Sequence, residues 1–176
     1  MTGRRIERVY ETVLNAAPEK VFPLLCPVRE YEWIPQWQCE MIHCDSGVAE
    51  LGCVFATDFD DGFGREIWVV SHFEQDSKIC FVRTGPVRTT RYVIELTPET
   101  EGTRICWQQE ITGLEDPDAS GDSLVEAHSE VKYKTMMTHL NQMLDYYLQH
   151  GTPLNINLSR THNTREMSEE DGSIGR

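Results

Sequence analysis

Apolar and polar positions alternate along Ile6–Leu14 (IERVYETVL), with β-branched and aromatic residues near a period of two, which predicts a strand. Asn15-Ala16-Ala17-Pro18 stops it, and Pro18 suits the first turn of a helix. Val21, Leu24 and Leu25 then take helical spacing, so a short helix is expected, ended at Pro27. Arg29 to Ile34 reads as a second short helix or turn, closed by Pro35. From Gln38 the period returns to two. Strands are expected at Gln38–Cys44, Cys53–Phe59, Glu66–Phe73, Lys78–Thr84, Arg88–Leu96 and Thr103–Thr112. Asp60-Asp61-Gly62-Phe63-Gly64 is the strongest hairpin signal among the turns between them, because Asp-Gly supplies positive φ at little cost. Strands at such short intervals predict an antiparallel meander.

Gly113–Gly121 reads as a polar loop, and one long helical pattern follows it. Tyr133, Met136, Met137, Leu140, Met143, Leu144, Tyr147 and Leu148 recur at three-to-four spacing up to Gly151. Carried backward, the same face reaches Ser129 and Glu126, while Leu124 and Val131 fall nearly opposite. Either the helix kinks near residue 130, or its first turns present polar groups where its later turns present apolar ones. Residues 152–176 form a polar tail outside a domain spanning 1–151, and Leu154–Leu158 is a candidate edge strand or docking segment within it.

The order of strand, two short helices, six strands and a long helix predicts an α+β fold. A curved antiparallel sheet of about seven strands would wrap the C-terminal helix. One helix about 10 Å wide does not fill the concavity of such a sheet, so a cavity should remain. In this order the chain resembles the START-like helix-grip superfamily, also called SRPBCC or polyketide cyclase/dehydrase and lipid transport. Asn15–Phe22 is similar to that family's strand-to-helix entry, Trp33–Trp37 to its aromatic segment before the second strand, and Gly102–Trp107 to its last-strand opening. Pro23 departs from the pattern, since it falls inside the first short helix. The resemblance covers roughly residues 5–150 and implies binding of a small hydrophobic molecule, a cyclase or dehydratase activity, or activation of a heat-shock ATPase.

Composition narrows these options. The 176 residues carry 16 Lys and Arg against 29 Asp and Glu, a formal net charge of −13. Such a surface repels phosphate backbones, and no basic cluster interleaved with aromatics occurs, so nucleic acid is not an expected partner. No run approaches the ~20 apolar residues of a spanning helix, and the N-terminus lacks the apolar core of a signal peptide. Membrane insertion is therefore not expected, and a cytoplasmic location is the default. The six cysteines form no CxxC pair and fit free thiols in a reducing compartment better than a disulfide framework.

Strand parity supplies the candidate site. On the last strand Ile105, Trp107, Gln109 and Ile111 share the inward face, opposite Arg104, Gln108 and Glu110; Tyr92, Ile94 and Leu96 point inward by the same rule. On Glu66–Phe73 neither face is plainly polar; turning Trp68 and Val70 inward brings Glu66 and His72 with them, and the opposite parity stays open. Trp33 and Trp37 either pack the short helices or wall the cavity. The expected ligand-binding set is Trp37, Phe55, Trp68, Tyr92, Trp107, Gln109, Tyr133, Met136 and Met137. Six residues apart on a strand, Glu66 and His72 lie about 20 Å from each other and cannot serve one bond, so solvated or singly satisfied roles are favoured. His43 with Cys39 and Cys44 does not converge as zinc ligands do. Asp58, Asp60 and Asp61 fail the calcium-loop pattern, with Gly62 at the fifth-ligand position, and are read as a hairpin turn. Glu126, His128, Ser129 and Glu130 are read as a solvated first helical turn. No nucleophile elbow, phosphate loop or dinucleotide fingerprint occurs, so neither a metal nor a cofactor is expected. The leading expectation is a carrier of a small apolar molecule. An enzyme would need Gln109 with Glu66, His72 or Glu126, and an interaction module would rest on the Leu154–Leu158 segment.

Overall fold

A computed structural model describes residues 4–114 and 124–154. Seven strands, β1 (Arg5–Leu14), β2 (Glu40–His43), β3 (Val54–Thr57), β4 (Glu66–Glu74), β5 (Lys78–Thr84), β6 (Arg88–Glu99) and β7 (Gly102–Gly113), form one antiparallel sheet. Its order is β1-β7-β6-β5-β4-β3-β2, so the meander folds back and the first strand closes against the last. Each strand turns one face inward by simple alternation. On β7 Thr103, Ile105, Trp107, Gln109 and Ile111 are all buried, as parity predicts.

A single short helix, α1 (Pro18–Val21), follows β1, and the chain then tightens into a 3₁₀ turn at Phe22–Leu25. Pro23 lacks the N–H that a longer α-helix would use, which explains the change. The second expected short helix is a lone 3₁₀ turn at Glu30–Glu32. The long helix, α2 (Glu130–His150), ends at Gly151, whose φ of 66° and N–H bond to the Tyr147 carbonyl (2.8 Å) form a left-handed cap. A separate helical turn covers 124–127, and Ser129 between the two is extended, with ψ at 148°. The phase conflict in the sequence is therefore resolved by a break: Leu124 is buried on its own turn, while Val131 on α2 is exposed.

One correction to strand parity comes from β4. The β4–β5 register slips between Val70 and His72, placing one extra residue, Ser71, in β4. Glu66, Trp68 and Val70 face inward as expected, but the slip turns His72 out to solvent and Phe73 in, against Phe22 (ring centroids 5.3 Å apart). The core is nearly continuous from α1 to α2. Leu14, Val21, Leu25, Trp33, Ile105 and Leu144 are sealed within it. All six cysteines are free thiols. The C-terminal tail and most of the Leu154–Leu158 and Gly113–Gly121 segments lie outside the described residues.

Candidate functional site

Trp33 and Trp37, four residues apart, take different roles. Trp33 is fully buried and donates its indole N–H to the Leu24 carbonyl (2.9 Å), pinning the short helices to the sheet. Trp37 donates to the Pro27 carbonyl (2.7 Å) but keeps one face open, tilted against Phe59 at 5.7 Å. That open face looks into a cavity of about 630 Å³ between the sheet and α2. The volume lies inside the range of roughly 300–1,000 Å³ usual for small-molecule sites.

Five aromatic rings, one from each of β3 to β7, floor this cavity: Phe55, Trp68, Phe81, Tyr92 and Trp107. Phe55 stacks on Trp68 (5.4 Å, 16°), Phe81 meets both edge-on, and Tyr92 leans on Trp107 at 6.0 Å. Such offset and edge contacts fix the rings in place. The two indole tips are tied off. The Trp68 indole N–H donates to Thr57 Oγ1 (2.8 Å) and that of Trp107 to Asn141 Oδ1 (3.0 Å), with the Asn141 amide donating to the Met137 carbonyl (2.8 Å). Tyr133 O–H reaches the Trp107 carbonyl (3.3 Å). These bonds hold α2 at a fixed height above the floor. All nine residues expected from the sequence line the cavity: Trp37, Phe55, Trp68, Tyr92, Trp107, Gln109, Tyr133, Met136 and Met137. Met137 is buried, whereas Met136 sits at the rim and is half exposed.

The front end of the cavity is polar, and sequence reasoning missed its main members, Arg83 and Arg88. Both follow from parity. Two residues beyond inward Phe81 comes Arg83, and four before inward Tyr92 comes Arg88. Glu66 is not solvated. Its carboxylate takes a bidentate pair from Arg88 (Nε 2.8 Å, Nη2 2.9 Å) deep in the sheet, with Gly85 of the β5–β6 turn lying against it. A Cβ at Gly85 would come within 2.8 Å of the Glu66 Cγ, so the turn approaches this closely only as glycine. Arg88 Nη2 also reaches Asp61 (3.3 Å), and its guanidinium lies over the Phe63 ring at 3.9 Å. Asp61 thus does more than shape the hairpin, where its other oxygen accepts from the Phe63 N–H.

His128 is drawn into this cluster as well, which corrects its placement on a solvated turn. Its Nδ1–H donates to the Leu124 carbonyl (2.8 Å), leaving Nε2 to accept from Arg88 Nη1 (2.6 Å). Burial pushes the imidazole below its usual range, and the neighbouring Arg88 and Arg83 push it further. Its companions Glu126 and Glu130 are exposed. Glu30 is a second polar group that the sequence did not flag. Its carboxyl faces the cavity, and loss of hydration raises its pKa to about 8. The residue is only half-buried, but what it faces is the hollow interior, which accounts for the strong shift. Of the acid–base partners considered for Gln109, Glu66 is closed by Arg88, His72 points away, and Glu126 is exposed and paired with Lys132 (3.6 Å). Among the described residues no group of three His, Cys, Asp or Glu converges as metal ligands do, and no helix is long and apolar enough to cross a membrane.

The seven-stranded sheet and bent C-terminal helical region define a helix-grip α+β fold. No family model matches the chain, and no curated protein sequence does. Solved structures do. MLL2253 from Mesorhizobium loti superposes with a TM-score of 0.59 at 17% identity, covering 82% of this chain and 97% of that one. Ara h 8.0201 gives 0.58 at 16% identity, with 83% and 99% covered. DynU16, a protein of the dynemicin biosynthetic locus, gives 0.57 at 18%, with 84% of this chain covered. The match spans 48% of DynU16, about half its length. At these identities the likeness establishes the fold, and it bears out the helix-grip resemblance read from the sequence.

Proposed function

We propose that the protein binds or carries a small, largely apolar molecule, lipid-like or polyketide-like, in the cavity between sheet and α2. The supporting observation is the cavity of about 630 Å³ floored by five rings, whose two indole N–H groups are already bonded to the protein. A guest would meet ring faces and gain mainly from desolvation, at roughly 25 cal/mol per Å² of apolar surface covered. Met136 and Met137, at the opposite wall, adapt to guests of different outline. The resemblance to Ara h 8.0201 and DynU16 supports the same fold without identifying a ligand.

Tryptophan fluorescence tests the reading. Quenching or a blue shift is expected with some members of a panel of fatty acids, sterols and fused-ring aromatics, and Trp107→Phe should weaken that response. Native mass spectrometry of protein purified from cells should show a co-purified small molecule. A panel in which no compound binds, together with a bare mass spectrum, would rule the reading out. The catalytic alternative is less well supported, because Glu30 as a protonated acid has no free base facing it among the described lining residues.

A further inference from the structure

Arg83 and Arg88 stand on neighbouring strands and face the same hollow, yet their bonding differs completely. Arg88 commits its guanidinium to Glu66, Asp61 and His128. Arg83 is 8% exposed, lies over the Trp68 ring at 4.7 Å, and comes no nearer to Glu66 than 3.5 Å. Its guanidinium makes no hydrogen bond among the described residues. Two buried side-chain polar atoms there lack a hydrogen bond, Arg83 Nε and Thr90 Oγ1, and their residues are directly opposed in the β5–β6 register. A buried cation with unused donors is costly unless an acceptor completes it.

Accepting the cavity reading above, we infer that the guest is amphipathic, with a single negative charge seated on Arg83 and an apolar body along the aromatic floor. A carboxylate suits the site best, since its two oxygens match the fork of a guanidinium. The formal charges of Arg83 and Arg88 are already balanced by those of Glu66 and Asp61. A monoanion therefore adds one uncompensated charge, whereas a dianion such as a phosphate ester adds two in a poorly solvated space. Burial lowers the Arg83 pKa only to about 10, so it remains cationic near neutrality. Glu30, raised to about 8, is largely protonated there and does not repel an anion. The surface as a whole, at −13, does repel anions, so any preference for an anionic guest must arise locally.

Two fluorescent probes with one ring skeleton test this. They are 1-anilinonaphthalene-8-sulfonate, a monoanion, and N-phenyl-1-naphthylamine, its neutral counterpart. The wild-type protein should bind the anionic probe about tenfold more tightly, the worth of one charge-assisted hydrogen bond. Arg83→Met should erase that preference while leaving the neutral probe's Kd within about twofold, and Arg83→Lys should retain part of it, having charge without the fork. Equal affinities in the wild type, or a preference that survives Arg83→Met, would overturn the inference and leave the cavity reading standing. Binding of neither probe, with the compound panel and the mass spectrum also blank, would remove the cavity reading itself and this inference with it. If Arg83→Met does not fold, the wild-type ratio and Arg83→Lys decide the matter.

Discussion

Beneath the long helix the interior has a solid rear and a hollow front, and the two are held together differently. At the rear, Leu144 and Trp33 are wholly buried among Leu14, Leu25 and Ile105, so shape complementarity does the holding. At the front, Met136 is 52% exposed, the floor is a sheet of rings bordering the cavity, and the walls are joined through Arg88, which bonds Glu66, Asp61 and His128. A wall that borders empty space cannot rely on close packing, because half its neighbours are missing. At this end the long Arg88 side chain ties Glu66, Asp61 and His128 together instead.

The largest expected effect is at the front. Glu66→Gln leaves Arg88 and Arg83 without their shared counter-charge in a desolvated place and should cost about 3–5 kcal/mol in urea unfolding. A loss under about 1 kcal/mol would mean that the front is not held by charge. Next comes the rear. Leu144→Ala should cost about 2–5 kcal/mol, and Met136→Ala less than about 1 kcal/mol, because only the first opens a void in packed surroundings. Similar losses at both positions would erase the distinction between the two ends. The last effect concerns Glu30 and depends on pH. Its folded pKa, raised from 4.5 to about 8, means that the native state holds the proton more tightly than the unfolded chain. That contribution is full below about pH 4.5 and is lost as pH rises through 8. Glu30→Gln should therefore leave the melting temperature unchanged near pH 4.5 and raise it by roughly 2 °C or more at pH 8. A flat difference across this range would show that the carboxyl is hydrated.

Part of the hollow's floor, Tyr92 and Trp107, was readable in advance because strand parity is a local property, whereas Phe81 was not among the expected residues. Once Trp107 and Tyr92 were assigned inward, their neighbours two residues away followed. Arg83 and Arg88 were missed although the same rule reaches them, since a charge on a strand is assigned to water by default. Their burial depends on Glu66, a partner 17 and 22 residues away in sequence, and no single strand shows that pairing. Glu30 was missed for a related reason: its turn is short, and only the assembled cavity shows what it faces. His72 was misplaced because a one-residue slip in register leaves no trace in composition. The break at Ser129 was visible as a clash of helical phase, and the structure shows which of its two resolutions the chain adopts.

That slip at Ser71 also shapes how β4 serves its surroundings. Without the supernumerary residue, a nine-residue strand would present the same side of itself to one neighbour along its whole length. With it, the first half turns Glu66, Trp68 and Val70 inward, with Trp68 lining the cavity, and the second half hands Phe73 to the α1 region through Phe22. One ribbon thus serves two parts of one core, and the dividing point is a single serine whose hydroxyl donates to the Cys80 carbonyl at 3.3 Å.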